Sequence, residues 1–309
     1  MSLHSSLHEP DSGEKTPARW SQGRRLEFLD FRLQWEGRIN RSDLTSFFGI
    51  SVPQASLDIA RYLELAPENA IYDRSDKVYL ATETFRPLYP SNEPSRYLNE
   101  LLARANGTLP AELSFLGWMP PAATVTAPTR LLAASTVVAV LTAIRQRLRL
   151  QVTYQSMSSP EPKDRVISPH AVAFDGFRWH VRAFCHSKMD FRDFVMARML
   201  RVETLAEPGV DGRDDEAWHR QVHLVLAPSA RLSKAHQKVI ELDYGMVGGE
   251  IVLECRQALL FYSLKRLGLL DAQTSAPRTQ QIVLRNRSAV MRFLQTTSQS
   301  HRAPEKQST

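Results

Sequence analysis

Only two cysteines occur in the 309 residues, Cys185 and Cys255, and they stand in neither a Cys-x-x-Cys pair nor a metal-ligand spacing. A disulfide framework and a zinc site are therefore not expected, and nothing calls for a cofactor. The chain has no uninterrupted run of the roughly 18 apolar residues that a membrane span needs. Its longest candidate, 131–144, is broken by Ser135, Thr136 and Thr142. The first twenty residues carry Glu9, Asp11 and Glu14 among serines and have no apolar stretch, which is unlike a secretory signal, so a cytoplasmic location is expected. The signatures of catalysis are missing too: there is no Gly-x-Ser-x-Gly elbow, no Walker loop and no His-Glu-x-x-His. His219 and His223 are spaced i and i+4, but they flank the onset of a strand and have no third ligand. An enzyme is not expected.

What is present is the composition of a globular protein, 43% hydrophobic and 23% charged, in a chain long enough for two or three domains. The net charge of +6 suggests a polyanionic partner, and its distribution is uneven. Residues 1–20, 21–90 and 91–127 each net −1. The excess lies in 128–208, with twelve basic and seven acidic residues, and in 209–309, with fourteen and ten.

Residues 1–20 and 297–309 are polar and aperiodic, and disordered tails are expected there. Over 21–86 the pattern is that of a winged helix-turn-helix. Leu26, Leu29 and Leu33, with Phe28 and Phe31, recur at helical spacing until Gly37. Ser42 is expected to cap a short second helix with Leu44, Phe47 and Phe48 turned inward and Gly49 at its end. Ser51 caps a third helix whose apolar stripe is Val52, Ala55, Ile59, Tyr62 and Leu63, ended by Pro67. Two β-rich runs around Asp73-Arg74-Ser75-Asp76 then read as a hairpin.

Residues 87–127, with Pro87, Pro90, Pro94, Pro110, Pro120 and Pro121 and one helix over 96–104, read as a connector. Over 128–208 a helix at 135–147 leads into a strand alternating Leu148, Leu150, Val152 and Tyr154. Further strands over 165–174, 177–185 and 191–205, with the Asp175-Gly176 turn, predict a small antiparallel barrel. Residues 209–296 alternate strand, helix, strand, helix, strand, the order of a small ferredoxin-like α+β layer. The chain as a whole is thus an α+β multidomain protein.

A recognition helix presents its N-terminal outward residues to base edges in the major groove. Here those are Ser51, Gln54, Ser56 and, further along, Arg61, with Gln suited to adenine. Arg74 and Lys77 of the wing, and Arg38 and Arg41 before the second helix, are placed for phosphate. The net charge of −1 is small for such a module, and a homodimer on double-stranded DNA with an inverted repeat would double its contacts.

A second constellation lies in the basic middle region. Strand parity puts Arg178, His180 and Arg182 on one face and Phe177, Trp179, Val181 and Ala183 on the other. Arg192, Phe194, Met196 and Arg198 share a face, as do Tyr154 and Ser156. Arginines beside an aromatic ring and a hydroxyl suit phosphates and stacked bases. The alternative is a set of surface ion pairs with Asp164, Asp190 and Asp193.

Over roughly 25–295 the sequence resembles the WYL-domain transcriptional regulators. The likeness is carried by Tyr154-Gln155-Ser156, Arg165, Ser168-Pro169-His170, the run from Arg178 to Phe184, Phe191-Arg192-Asp193-Phe194 and Ala197-Arg198-Met199. The naming triplet departs, reading Trp179-His180-Val181 for the usual Trp-Tyr-Leu. The resemblance implies a winged helix, an Sm-like barrel and a C-terminal WCX dimerisation domain. It also implies an effector pocket at Tyr154, Ser156, Arg165, His170, Arg182, Arg192 and Arg198, flanked by Trp179 and His180. Within the family the chain is most similar to repressors that accompany BREX and CBASS anti-phage defence islands, which implies a homodimer that leaves promoter DNA on sensing a nucleic acid or nucleotide. The rival expectation is an accessory RNA- or single-strand-binding protein whose winged helix serves protein contacts.

Overall fold

The computed structural model describes residues 22–90, 93–125, 128, 130–271 and 280–301, with side chains as far as residue 294. The tail expected at 1–20 lies outside the described residues, as does 302–309 of the tail expected at 297–309, whose first five residues instead continue a helix. The chain divides into two compact units, 1–127 and 128–309.

In the first unit, helices α1 (Gln22–Glu36), α2 (Arg41–Phe48) and α3 (Val52–Leu65) are followed by the strands β2 (Ala70–Asp73) and β3 (Val78–Ala81). A two-residue strand between α1 and α2, β1 (Arg38–Ile39), which was not expected, completes an antiparallel sheet of order β1-β3-β2. This is the expected winged helix-turn-helix. The apolar stripe of α1 is entirely buried, and the rings of Phe47, Phe48 and Phe115 surround Phe28 at centroid distances of 4.8, 5.2 and 5.1 Å.

Two local expectations are corrected. The cap of α2 is Asn40 rather than Ser42. Asn40 Oδ1 accepts from the Asp43 amide at 3.0 Å while Asp43 Oδ2 accepts from the Asn40 amide at 2.8 Å, a reciprocal box that satisfies two donors where a serine two residues later would satisfy one. Val52 is 58% exposed and does not join the buried stripe of α3, which consists of Ala55, Asp58, Ile59 and Tyr62. The segment expected as a connector carries α4 (Pro94–Ala105) and sends Phe115 into the same core, with Tyr97 and Leu116 packed against it.

In the second unit, α5 (Ala134–Gln146) ends at Arg147 in the left-handed conformation and leads into β4 (Leu148–Tyr154). The strands β5 (Lys163–Phe174), β6 (Trp179–Cys185), β7 (Asp190–Val195) and β8 (Met199–Pro208) complete an antiparallel sheet of order β7-β6-β5-β4-β8. The continuous strand expected over 191–205 is broken by a 3-10 turn at Met196–Arg198. That turn carries the chain from one edge of the sheet to the other, from β7 beside β6 to β8 beside β4. One face of the sheet is filled by Leu150, Val152, Tyr154, Ile167, Val181, Ala183, Cys185 and Phe194 with Val140 and Ala143 of α5.

The remainder comprises α6 (Glu216–His219), β9 (Gln221–Pro228), α7 (Lys234–Asp243), β10 (Ile251–Arg256), α8 (Leu260–Arg266), β11 (Ile282–Leu284) and α9 (Arg287–His301). Both β10 and β11 run antiparallel to the central β9. Three strands are thus found among the described residues, where a ferredoxin-like layer has four. Cys185 and Cys255 are free and buried. No helix of the described residues is long and apolar enough to cross a membrane, and no group of three or more His, Cys, Asp or Glu among them could hold a metal.

Candidate functional site

The third helix is held from behind by two buried acids. Asp58, fully buried, accepts from Arg25 Nε at 2.6 Å and Nη2 at 3.1 Å, both on the side facing α1. Asp30 of α1, also fully buried, accepts from the Tyr62 hydroxyl at 2.7 Å and from the Leu88 amide at 2.9 Å. Burial pushes the Tyr62 phenol far above its ordinary range, so it remains the donor. With Ala55, Asp58, Ile59 and Tyr62 turned inward, the 100° advance per residue leaves Val52, Pro53, Leu57, Ala60, Arg61 and Glu64 exposed.

The predicted base readers divide. Ser51 is exposed and caps the helix, its Oγ accepting from the Gln54 amide at 3.3 Å. Gln54 is half-buried and gives its side-chain nitrogen to Asp58 Oδ1 at 3.2 Å. Ser56 donates back to the Val52 carbonyl at 3.0 Å. Arg61 is exposed and paired with Glu64 at 2.9 Å. Arg38, Arg41, Arg74 and Lys77 are exposed and have no ion pair among the described residues. Sequence reasoning missed the apolar members of the outer face, Val52, Pro53 and Leu57, although a helical wheel centred on Ala55 and Tyr62 places them there.

Seven of the nine residues predicted for the effector pocket fall on two faces of one sheet, and Ser156 and Arg198 lie outside its strands. Register puts Arg165 opposite Val152, and Arg192 opposite Ala183, so both share the core-facing side with Tyr154. There, Tyr154 is buried against Phe194 and its hydroxyl accepts from the Val195 amide at 3.1 Å. Arg165 donates to Ser187 at 3.2 Å, and Arg192 lies 3.7 Å from Asp190. Ser156 follows β4 and bonds Ser158, while half-buried Arg198 sits in the 3-10 turn and has no ion pair among the described residues.

His170, His180 and Arg182 sit apart from these, His170 and Arg182 meeting Asp215 after β8 and His180 meeting Asp175 and Tyr262. Arg182, 3% exposed, donates Nε to Asp215 Oδ2 at 2.7 Å, Nη2 to Asp215 Oδ1 at 3.0 Å and Nη1 to Asp193 Oδ1 at 3.3 Å. His170 Nε2 lies 3.0 Å from Asp215 Oδ2. Burial alone would raise the Asp215 carboxyl, but the hydrogen bonds from His170 and Arg182 and the guanidinium charge hold it at about 2. The chain passes close over His170 at Gly212, where a Cβ would lie 2.6 Å from the imidazole carbon. A cavity of about 430 Å³ adjoins this junction, lined in part by Arg147, His170, Arg213 and Trp218. His180 is buried against Tyr262, ring centroids 4.6 Å apart, with Nε2 at 2.9 Å from Asp175 Oδ2. Trp179 is 44% exposed and leans on Phe174. None of Asp175, Asp215 and Tyr262 was singled out from the sequence as a site residue, because each reaches its partner through the fold.

Comparison with known proteins agrees with this layout. Residues 21–103 match the winged helix-turn-helix domain of the BrxR transcriptional regulators, residues 135–204 match the WYL domain, and residues 221–290 match the BrxR C-terminal dimerization domain. The chain is similar to the DNA-binding transcriptional repressor CapW of Stenotrophomonas maltophilia, 45% identical over 287 residues, or 92% of this chain and 96% of the relative. It is 46% identical to CapW of Pseudomonas aeruginosa over 93% of this chain and 96% of that protein, and 44% identical to CapW of Escherichia coli over 90% and 93%. Among solved structures, the proteasome accessory factor B/C of Arthrobacter aurescens aligns with 98% of this chain and 52% of its own at 16% identity and a TM-score of 0.25.

Proposed function

We propose, from the premise that this chain belongs to the family of BrxR and CapW DNA-binding transcriptional repressors, that it represses a phage-defence promoter as a homodimer and releases it when an anionic nucleic acid or nucleotide binds the WYL domain. The observation that carries the DNA-reading half is the outer face of α3, exposed beside four cations without ion pairs among the described residues, Arg38, Arg41, Arg74 and Lys77. Phosphate contacts from these residues set register, while the helix reads bases. Ser51, Gln54, Ser56 and Arg61 supply the polar contacts, and Val52 and Leu57 lie against thymine methyl groups. A dimer held by the C-terminal domain presents two such helices to an inverted repeat. Catalysis has no part in this reading, and the cytoplasm, where promoter DNA is found, is its setting.

For the sensing half, Tyr154, Arg165 and Arg192 on the core-facing side of the sheet, with Ser156 after β4 and Arg198 in the 3-10 turn, form the contacting set. His170, Arg182 and His180 act from the opposite face as positioning residues, while Trp179 shares the side of Val181 and Ala183 at the start of β6. The 3-10 turn between β7 and β8 supports closure of the five strands as an Sm-like barrel. The order of β9, α7, β10, α8 and β11 supports a ferredoxin-like layer short of one strand.

The test is footprinting of the full-length protein on DNA upstream of its own gene, with and without short single-stranded oligonucleotides. A protected inverted repeat that is released by one of the oligonucleotides is expected. Absence of a protected duplex site, with single-strand binding intact, would instead establish the accessory single-strand-binding reading.

A further inference from the structure

The turn between β5 and β6 meets α8 across a cleft of about 460 Å³ that none of the roles above uses. Its walls include Arg130, Arg178, Lys265, Arg266, Phe177 and Tyr262. Four cations converge there, and among the described residues lining the cleft one carboxylate, Asp175, faces them. That carboxylate is already committed. It accepts from the Phe177 and Arg178 amides at 2.8 and 2.9 Å, from Arg178 Nε at 3.0 Å, and it bonds His180 at 2.9 Å. Arg130, Lys265 and Arg266 are exposed and have no ion pair among the described residues. Like charges gathered without counter-charge repel one another, and an anion in their midst relieves this, phosphate best because it matches the guanidinium fork.

Two features narrow the anion. Phe177, at the tip of the turn, is 71% exposed, and a large ring left in solvent beside a cationic groove is a stacking platform for a base. Behind it, a recess of about 90 Å³ shares Asp175, Tyr262 and Arg266 with the cleft and ends on His180. His180 is 1% exposed, and its Nδ1 is buried without a hydrogen-bond partner. With Nε2–H directed to Asp175, Nδ1 is left as an acceptor for a hydroxyl or amine that enters the recess. Gly176 keeps the entrance narrow. It adopts φ +98, and a Cβ there would lie 3.2 Å from Arg266 Nη1, so the guanidinium rests directly over the turn.

We infer that this cleft is a nucleotide site: phosphates lie among Arg130, Lys265 and Arg266, the base stacks on Phe177, and a sugar hydroxyl or base amine reaches His180 Nδ1. It is distinct from the Arg165, Arg192 and Arg198 side of the sheet. Because its walls come from the β5–β6 turn and from α8, an occupant ties the WYL sheet to the C-terminal layer within the same unit.

The test uses full-length protein and 5′-fluorescein-labelled decathymidylate read by anisotropy, with ATP and tripolyphosphate as competitors. Lys265→Ala combined with Arg266→Ala should weaken decathymidylate binding tenfold or more, with thermal melting unchanged because both side chains are exposed. Phe177→Ala should weaken it about fivefold or more, as loss of one stacked base does, and should leave competition by tripolyphosphate as it was. If ATP competes, the occupant is a free nucleotide; if only the oligonucleotide binds, it is a strand. Wild-type affinity in the Lys265/Arg266 double variant would overturn the assignment, as would equal loss of tripolyphosphate competition in Phe177→Ala. Loss of binding in Arg198→Ala alone, with the double variant unaffected, would also overturn it while supporting the core-facing site.

Discussion

Arg182 and Asp215 meet through two parallel hydrogen bonds, Nε to Oδ2 at 2.7 Å and Nη2 to Oδ1 at 3.0 Å, with neither side chain more than 3% exposed. An arginine that sequence reasoning assigned to an effector pocket is therefore a strut between β6 and the start of the C-terminal layer. Arg182→Ala leaves Asp215 buried without its guanidinium and takes a cation from the partly buried Asp193, and should cost about 3–5 kcal/mol of stability in urea unfolding. A variant as stable as the parent would show the strut to be dispensable.

The same pair sets a dependence on acid. Asp215 titrates at about 2 when folded and near 3.8 when unfolded, so its carboxylate favours the folded state above pH 4. That contribution, about 2 kcal/mol, disappears as pH falls from 4 towards 2. Chemical denaturation followed over this range should show the decline, and Asp215→Asn should flatten it at the expense of lower stability at neutral pH.

Base reading through α3 has a chemical signature. Replacing thymine by uracil in the protected half-site removes the methyl groups, and should weaken binding several-fold where Val52 or Leu57 lies over them. Leu57→Ala should remove that difference. Equal affinity for the two operators would exclude methyl reading and return the task to Gln54 and Ser51.

Phosphate contacts predict a uniform loss instead. Arg38→Ala, Arg74→Ala and Lys77→Ala should each weaken all duplex sequences alike and lower the slope of log affinity against log salt by about one. Ser51→Ala should act differently, destabilising the first unit by about 1 kcal/mol through loss of the cap on α3.

Where the sequence was legible, the signal was local. The alternation of Leu150, Val152 and Tyr154 with polar neighbours announced which face of β4 is buried, and parity along β6 correctly separated Val181 and Ala183 from His180 and Arg182. Ser51, Gly49 and the Asp73–Asp76 turn carry their meaning within four residues. What could not be read was the partner of each polar side chain. Arg182 finds Asp215 at a separation of 33 residues and His180 packs on Tyr262 across 82, and no pattern in a single sequence links such pairs. Gln54 shows the same limit at close range: it is four residues from Asp58 on one helix, yet whether it faces DNA or its own helix depends on Asp58 being pinned by Arg25. The 3-10 turn at Met196–Arg198 was hidden because the residues around it continue to alternate as a strand would.

Arg192 and Asp193 are consecutive on β7, and consecutive residues of a strand project to opposite sides. One arm of the strand thus carries Arg192 on the core-facing side while the next holds Arg182 and, through Asp193 Oδ2, the Tyr262 hydroxyl at 3.2 Å. A tilt of this edge strand would move both side chains together: drawing Arg192 outward on one side would lift Asp193 from its two donors on the other. Any displacement of Arg192 would therefore reach Arg182 and Tyr262 across the thickness of a single peptide plane.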